Sequence, residues 1–335
     1  MELTFFVGID VSKDKLDVAC YMEKESMNAR RFENNLKGFK GMIKWLSSLS
    51  QSLQNEWLIC LEHTGVYSWS LSCFLTEQKI NFSIQPALQI KRSMGIQRGK
   101  NDTADAKSIA RFAYLHRKEI KLTVLPSKAL ISLKNLISYR DRLVKSKVSL
   151  QVAAKELAAH TSKDLHASIV NDSAKHVKEL TVSIRILDKK IESTIRQDAH
   201  LNSLFELSTS VKGVGLHVAA NLLVYTEGYT KFDNWRKFSC YCGLAPFEYQ
   251  SGTSIRGKTR ISPLGNKKMK AMIGNGVASA IQWDKELAHY YNRKINEGKP
   301  KMIVHTAIKN KIISRVFATV KRGTPFVPLF KFANT

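Results

Sequence analysis

Two short apolar runs, each closed by an acid, limit what the first third of this chain can become. Thr4 to Ile9 (TFFVGI) ends on Asp10, and Trp57 to Leu61 (WLICL) ends on Glu62. Unbroken apolar strands of this kind are covered on both faces, so they belong in a sheet sandwiched between helices. Between the two runs, Ser12-Lys13-Asp14 marks a turn, Leu16 to Tyr21 returns as a hairpin partner and Ala29 to Glu33 supplies a third strand. Gly38 to Leu49 then carries helical periodicity through Phe39, Met42, Ile43, Leu46 and Leu49. Beyond Glu62 the pattern predicts a helix over Tyr67 to Gln78, a strand over Phe82 to Ile84 and a helix over Asp102 to His116.

Three strands, helix, strand, helix, strand, helix is the order of an RNase H-like α/β fold. In that fold the first and fourth strands are neighbours, so Asp10 and Glu62 are expected to meet at their carboxyl ends. Asp102 and Asp105 stand three residues apart on the last helix, hence on one face, about 5 to 6 Å apart at Cβ. Acids gathered in one cleft raise one another's pKa, which is tolerable where a divalent cation neutralises them. Oxygen donors suit Mg2+ or Mn2+, and such ions act on phosphate esters. Taken singly the same acids have plainer roles: Asp102 would cap a helix, Asp105 would favour its positive end, and Glu62 would close a buried strand. Their joint placement in this element order is what points to phosphodiester chemistry.

The length of 335 residues suggests more than one core. We divide the chain into an α/β domain at 1–128, a helical coiled-coil connector at 129–205 and a mainly α domain at 206–330. Lys and Arg number 53 against 28 acids, a net charge of +25 that favours polyanionic partners. No apolar run approaches the ~18 residues of a spanning helix, and the first ten residues lack signal-peptide features, so no membrane partner and a cytoplasmic location are expected. Five scattered cysteines read as reduced and mostly packed, since Cys240-x-Cys242 has neither zinc-site spacing nor histidine companions.

In the connector, Val177, Leu180, Ile184, Leu187 and Ile191 make a heptad seam, and Leu133, Leu136, Ile137, Leu143, Val144, Val148 and Val152 make a second stripe. These can pair within one chain or between chains; the spacing fits both. Val211 to Ala219 (VKGVGLHVA) resembles a helix-hairpin-helix turn, in which Gly213 and Gly215 would offer backbone N–H groups to a phosphate or simply permit close packing. From Ser251 to Arg322 there are sixteen Lys and Arg against three acids. Arg256, Lys258, Arg260, Lys267, Lys268 and Lys270 crowd one basic loop and the helix after it, a place to hold a nucleic-acid backbone. Ser251 sits among them next to Gly252, and by itself a serine so placed is usually a turn residue.

Taken together, Val7-Gly8-Ile9-Asp10-Val11-Ser12-Lys13, Glu62-His63-Thr64-Gly65-Val66-Tyr67, Lys100-Asn101-Asp102-Thr103-Ala104-Asp105-Ala106, and Gly243-Leu244-Ala245-Pro246 to Ser251-Gly252 with Arg260-Ile261-Ser262 and Gly265-Asn266 resemble the IS110 insertion-sequence transposases almost end to end. The resemblance implies a RuvC-like domain whose DEDD set is Asp10, Glu62, Asp102 and Asp105, holding Mg2+ or Mn2+. It further implies a coiled coil, a C-terminal transposase domain with Ser251 as nucleophile, and cutting and rejoining of double-stranded donor and target DNA. A non-coding bridge RNA as guide and assembly into dimers or tetramers are implied as well. Ile255 stands where many members carry a polar or basic residue, so the resemblance assigns no role to Arg256.

Other functions fit less of the chain. A Piv-type DNA invertase or a RuvC-like hydrolytic nuclease would use the same acids, but a nuclease needs no C-terminal serine. Gly8-Ile9-Asp10-Val11-Ser12 is also similar to the first phosphate motif of actin-like sugar kinases, which need a second glycine-rich loop that the sequence lacks. A purely nucleic-acid-binding protein accounts for the charge and leaves the four acids unexplained.

Overall fold

In the computed structural model the first apolar run becomes β1 (Phe5–Val11), in which every residue but Asp10 is buried. The structure describes residues 3–21, 27–63, 65–93, 102–157, 160–251 and 255–328, and it divides into two units, Met1–Leu125 and Pro126–Thr335.

In the first unit β1 pairs antiparallel with β2 (Lys15–Tyr21), which pairs antiparallel with β3 (Met27–Glu33). On its other side β1 runs parallel to β4 (Trp57–Glu62), and β4 runs parallel to β5 (Phe82–Gln85). The sheet order is therefore β3-β2-β1-β4-β5, with the first and fourth strands adjacent as the element order predicts. Four helices accompany it: α1 (Leu36–Leu49), α2 (Trp69–Glu77), α3 (Ala87–Ser93) and α4 (Asp102–Leu115). Successive strand residues face opposite sides, and the sheet serves two cores. Val7, Ile9, Ile59 and Leu61 pack with Phe39, Met42 and Leu46 of α1 and with Leu71 and Leu75 of α2. Phe6, Leu58 and Cys60 pack with Ile90 of α3 and with Ile109, Phe112 and Ala113 of α4.

Asp10 and Glu62 fall on the α4 side by the same alternation. There α4 lies close against the sheet because β1 carries Gly8 at the crossing. A Cβ on Gly8 would lie 2.1 Å from the Ala110 N and 2.4 Å from the Ala106 O. Ala19, opposite Gly8 on β2, joins Ala106 and Ala110 in a small core of its own. Three small side chains and one absent one set how near α4 can bring its first turn to the ends of β1 and β4.

The second unit begins with two long helices, α5 (Lys128–Glu156) and α6 (Lys163–Gln197). They run antiparallel: Arg140 meets Asp188, and nearer the turn His166 Nε2 lies 3.0 Å from the Ala154 O. The heptad stripes are thus joined within one chain. Leu130, Leu133 and Ile137 of α5 and Ile191 and Ile195 of α6 enter a core shared with α7 (Ala199–Thr209), α8 (Leu216–Tyr225), α9 (Trp235–Tyr241), α10 (Lys267–Trp283), α11 (Lys285–Asn296) and α12 (Lys301–Arg322). Between α9 and α10 the chain forms an antiparallel ribbon of β6 (Pro246–Ser251) and β7 (Ile255–Ile261) where the sequence reads as a basic loop. A two-stranded ribbon has no second layer on which to bury a face, so the alternation that marks a strand is missing. No helix among the described residues is long and apolar enough to cross a membrane.

Candidate active site

The N-terminal acids come from three elements that converge for different reasons. Asp10 is the sixth residue of β1 and Glu62 the last of β4; the parallel register pairs Ile9 with Leu61 and so sets the two acids side by side. Asp102 and Asp105 lie in the first turn of α4. Asn34 ties down the loops around them, donating from Nδ2 to the Ser12 O at 2.8 Å and the Tyr67 O at 3.1 Å. Gly65 turns the chain after Glu62 with φ 74°, a conformation glycine adopts without strain.

The electrostatics report the convergence. The Asp10 carboxyl is raised from 3.8 to about 6, first by partial burial and then by Glu62, Asp105, Asp102 and Asp17. Among the described residues no three His, Cys, Asp or Glu side chains close round one point as a ready-made ligand cage. The acids are neighbours on a patch of carboxylate oxygens whose chemistry fits a hard divalent cation.

Asp17 escapes a reading of the sequence. It lies on β2 directly across from Asp10, is only 6% exposed and is held by Arg31 of β3, Nε to Oδ1 at 3.0 Å. A lone Asp inside an alternating strand carries no motif, and only the hairpin register places it beside the others.

The remaining candidates belong to the second unit. Ser251 is the last residue of β6, across from Ile255. Its side chain, those of Arg256, Lys258 and Arg260, and residues 252–254 lie outside the described residues, as does Asn101. Arg256, Lys258 and Arg260 occupy alternate positions of β7. Lys267 is exposed and Lys270 half-buried in the first turns of α10. Lys268 is engaged internally, ion-paired with Asp141 and lying over the Tyr225 ring at 5.7 Å. Gly213 has φ 89° and packs on α10, where a Cβ would lie 2.5 Å from the Gly276 O, whereas Gly215 is exposed as the N-cap of α8. All five cysteines are free; burial pushes the Cys20, Cys60 and Cys242 thiols up to about 12.

Comparison with known proteins separates the candidate functions. A transposase profile of the IS110 DEDD type matches residues 7–162, spanning all four N-terminal acids. A second profile, for the transposases of the IS116/IS110/IS902 family, matches residues 206–292, spanning Ser251 and the basic cluster. The chain belongs to the IS110 family of transposases. It is accordingly a DNA recombinase of the transposase class, and DNA is its substrate. Among the relatives of this IS110 transposase are the pilin gene-inverting proteins of Moraxella bovis and Moraxella lacunata, each 26% identical over 334 residues, or 96% of this chain and 97% of theirs. An uncharacterized 43.6 kDa protein of insertion element IS110 from Streptomyces coelicolor is 32% identical over 133 residues, 38% of this chain and 33% of its own.

Proposed function

We propose that this transposase cuts and rejoins DNA with a metal-binding DEDD set, Asp10, Glu62, Asp102 and Asp105, and with Ser251 as nucleophile, under the guidance of a non-coding bridge RNA. The observation that carries the DEDD reading is the raised Asp10 carboxyl, which responds to the acids of β4 and α4 together. The sheet order supports an RNase H-like, RuvC-like assignment for this unit. Mg2+ or Mn2+, when bound by these acids, supplies charge neutralisation at a scissile phosphate. Ser251 supplies the attacking oxygen: its Oγ bonds to phosphorus as the bond to the departing strand breaks, and the serine proton leaves for the released deoxyribose oxygen or for solvent. The ester so formed conserves the bond energy, and attack by a strand end on it rejoins DNA.

Support for RNA guidance lies in the +25 charge and in family membership. Support for assembly into dimers or tetramers comes from the far part of the α5–α6 hairpin, which leaves Val148, Val152 and Leu165 about half exposed. A second outcome, site-specific inversion, is favoured by the end-to-end similarity to the pilin gene-inverting proteins.

A denaturing gel of the protein incubated with labelled DNA and Mg2+ tests the nucleophile. The parent and Ser262→Ala should give a protease-sensitive protein–DNA adduct, and Ser251→Ala should give none. An adduct that survives in Ser251→Ala moves the nucleophile elsewhere. Sequencing the RNA retained after a high-salt wash tests guidance: one defined species is expected, and a random smear favours a protein-only invertase.

A further inference from the structure

The C-terminal unit buries a lysine that no carboxylate among the described residues answers. Lys309, in the middle of α12, is 9% exposed, while its neighbours on that face, Ile308, Ile312 and Ile313, belong to the core. Among the described residues the Lys309 side chain makes no hydrogen bond or ion pair, and neither does that of Lys270 of α10. The Lys309 side chain ends against α10 at Gly274: a Cβ on Gly274 would lie 3.2 Å from the Lys309 Nζ and 3.3 Å from its Cε. Lys270 lies one turn before Gly274 and so shares that face of α10. Burial, and then Lys270, pull the Lys309 ammonium below the usual lysine value.

Burying an ammonium without a counter-charge is costly, and the half-buried Arg315 of the same helix shows what a structurally answered cation looks like. Arg315, three residues beyond Ile312 on the same helix, is held by Asp284 and Glu286, both at 2.6 Å. Among the described residues the Lys309–Lys270 pair has no such acids. Its place in the fold is also particular. Asn310, beside Lys309, donates from Nδ2 to the Leu244 O at 3.4 Å, two residues before β6 begins. Asn266, the N-cap of α10, receives the other end of the ribbon, donating from N to the Tyr241 O and from Nδ2 to the Tyr241 Oη, each at 2.8 Å. Gly265 and Gly243 touch there as well, a Cβ on Gly265 falling 2.3 Å from the Gly243 Cα.

We propose that Lys309 and Lys270 form a phosphate-binding pair at the base of the β6–β7 ribbon, taking one phosphodiester of the nucleic acid on which the enzyme acts. The catalytic meaning of that position rests on the reading of Ser251 as nucleophile; the binding itself does not. A phosphodiester supplies two non-bridging oxygens sharing the negative charge that the paired ammonium groups lack, and a ribbon seated on α10 and α12 would then hold Ser251 at a fixed reach from it.

Fluorescence anisotropy of the full-length protein with a labelled 30-base-pair duplex, and separately with a labelled RNA hairpin, measured over a NaCl series, is the test. Lys309→Met should bind roughly tenfold more weakly than the exposed control Lys285→Met, and its log–log salt slope should be shallower by about 1. Without nucleic acid it should melt no lower than the parent, because an unanswered buried charge has been removed. Gly274→Ala, which pushes on the ammonium and leaves its charge in place, should weaken binding in the same direction and serves if Lys309→Met does not fold. Loss on duplex alone assigns the phosphate to DNA, loss on the hairpin alone assigns it to RNA, and loss on both assigns a shared site. Parental affinity and slope on both ligands for the variants that fold would overturn the proposal, as would a lowered melting temperature with unchanged affinity. Adduct formation by Ser251→Ala is scored on separate gels, so the serine reading and the phosphate pair stand or fall independently.

Discussion

Arg31 of β3 spans two carboxylates from different elements, with Nε 3.0 Å from the Asp17 Oδ1 and Nη2 3.5 Å from the Asp102 Oδ2. One cation thus links the strand behind Asp10 to the first turn of α4. It offsets part of the like-charge repulsion among five acids, and it does so from an exposed edge strand where it can let go of Asp102.

Removing that clip should leave more of the repulsion for a metal to relieve. Arg31→Gln is expected to melt below the parent in EDTA at pH 8 and to regain a larger increment than the parent when Mg2+ is added. Differential scanning fluorimetry over a Mg2+ titration reads both numbers. Equal Mg2+ increments in the two proteins would show that Arg31 has no electrostatic part in the site.

Gly8 tests the packing that positions α4. With the Ala110 N 2.1 Å from where a Cβ would stand, even alanine must displace the helix backbone. We expect Gly8→Ala to lose about 2 to 3 kcal/mol of stability in urea unfolding. DNA cleavage should fall far more than the residual folded fraction explains, since Asp102 and Asp105 move with α4. Cleavage in proportion to folded protein would mean that the acids of α4 are dispensable.

Gly8 also marks where the sequence stops being legible. The strands around it announce themselves, because FFVGI and WLICL are buried on both faces and carry no competing pattern. Asp102 and Asp105 are visible as a spaced pair opening a helix. Asp17 and Arg31 are not, since their pairing depends on hairpin register, which short-range pattern does not encode. The β6–β7 ribbon hides because it buries no face and so lacks an alternating apolar pattern, and Lys309 hides in the periodicity of α12, where a lysine stem passes for surface.

The raised Asp10 carboxyl sets a pH dependence with a definite sign. Below about 3.8 both the folded and unfolded states hold the proton; between there and about 6 the folded state alone holds it, and above about 6 the folded state carries an unfavourable charge. Metal-free stability associated with Asp10 is therefore present at low pH and lost as pH rises through about 6. For a half-buried group the loss is on the order of 1 kcal/mol after solvent screening. Asp10→Asn should melt above the parent at pH 7.5 in EDTA and alongside it near pH 4, and added Mg2+ should raise the parent more than the variant. A parent–variant difference that does not change with pH would remove the electrostatic account of Asp10.

The two glycines of the Val211–Ala219 segment separate a packing role from a binding one. Gly213 combines φ 89° with the close approach to the Gly276 O, so any side chain is strained twice, by backbone and by contact. Gly213→Ala should cost about 2 to 4 kcal/mol, with α10 displaced. Gly215 has φ −92° and open space where its Cβ would be, so Gly215→Ala should leave the melting temperature almost unchanged. If the N-terminus of α8 holds a phosphate through backbone N–H groups, Gly215→Ala should weaken duplex binding modestly, because a methyl group crowds the approach without removing a donor. Larger residues should then weaken it progressively. Anisotropy titrations of Gly215→Ala and Gly215→Leu, set against their melting curves, decide the matter: affinity that ignores side-chain size at full stability would leave this turn with packing alone.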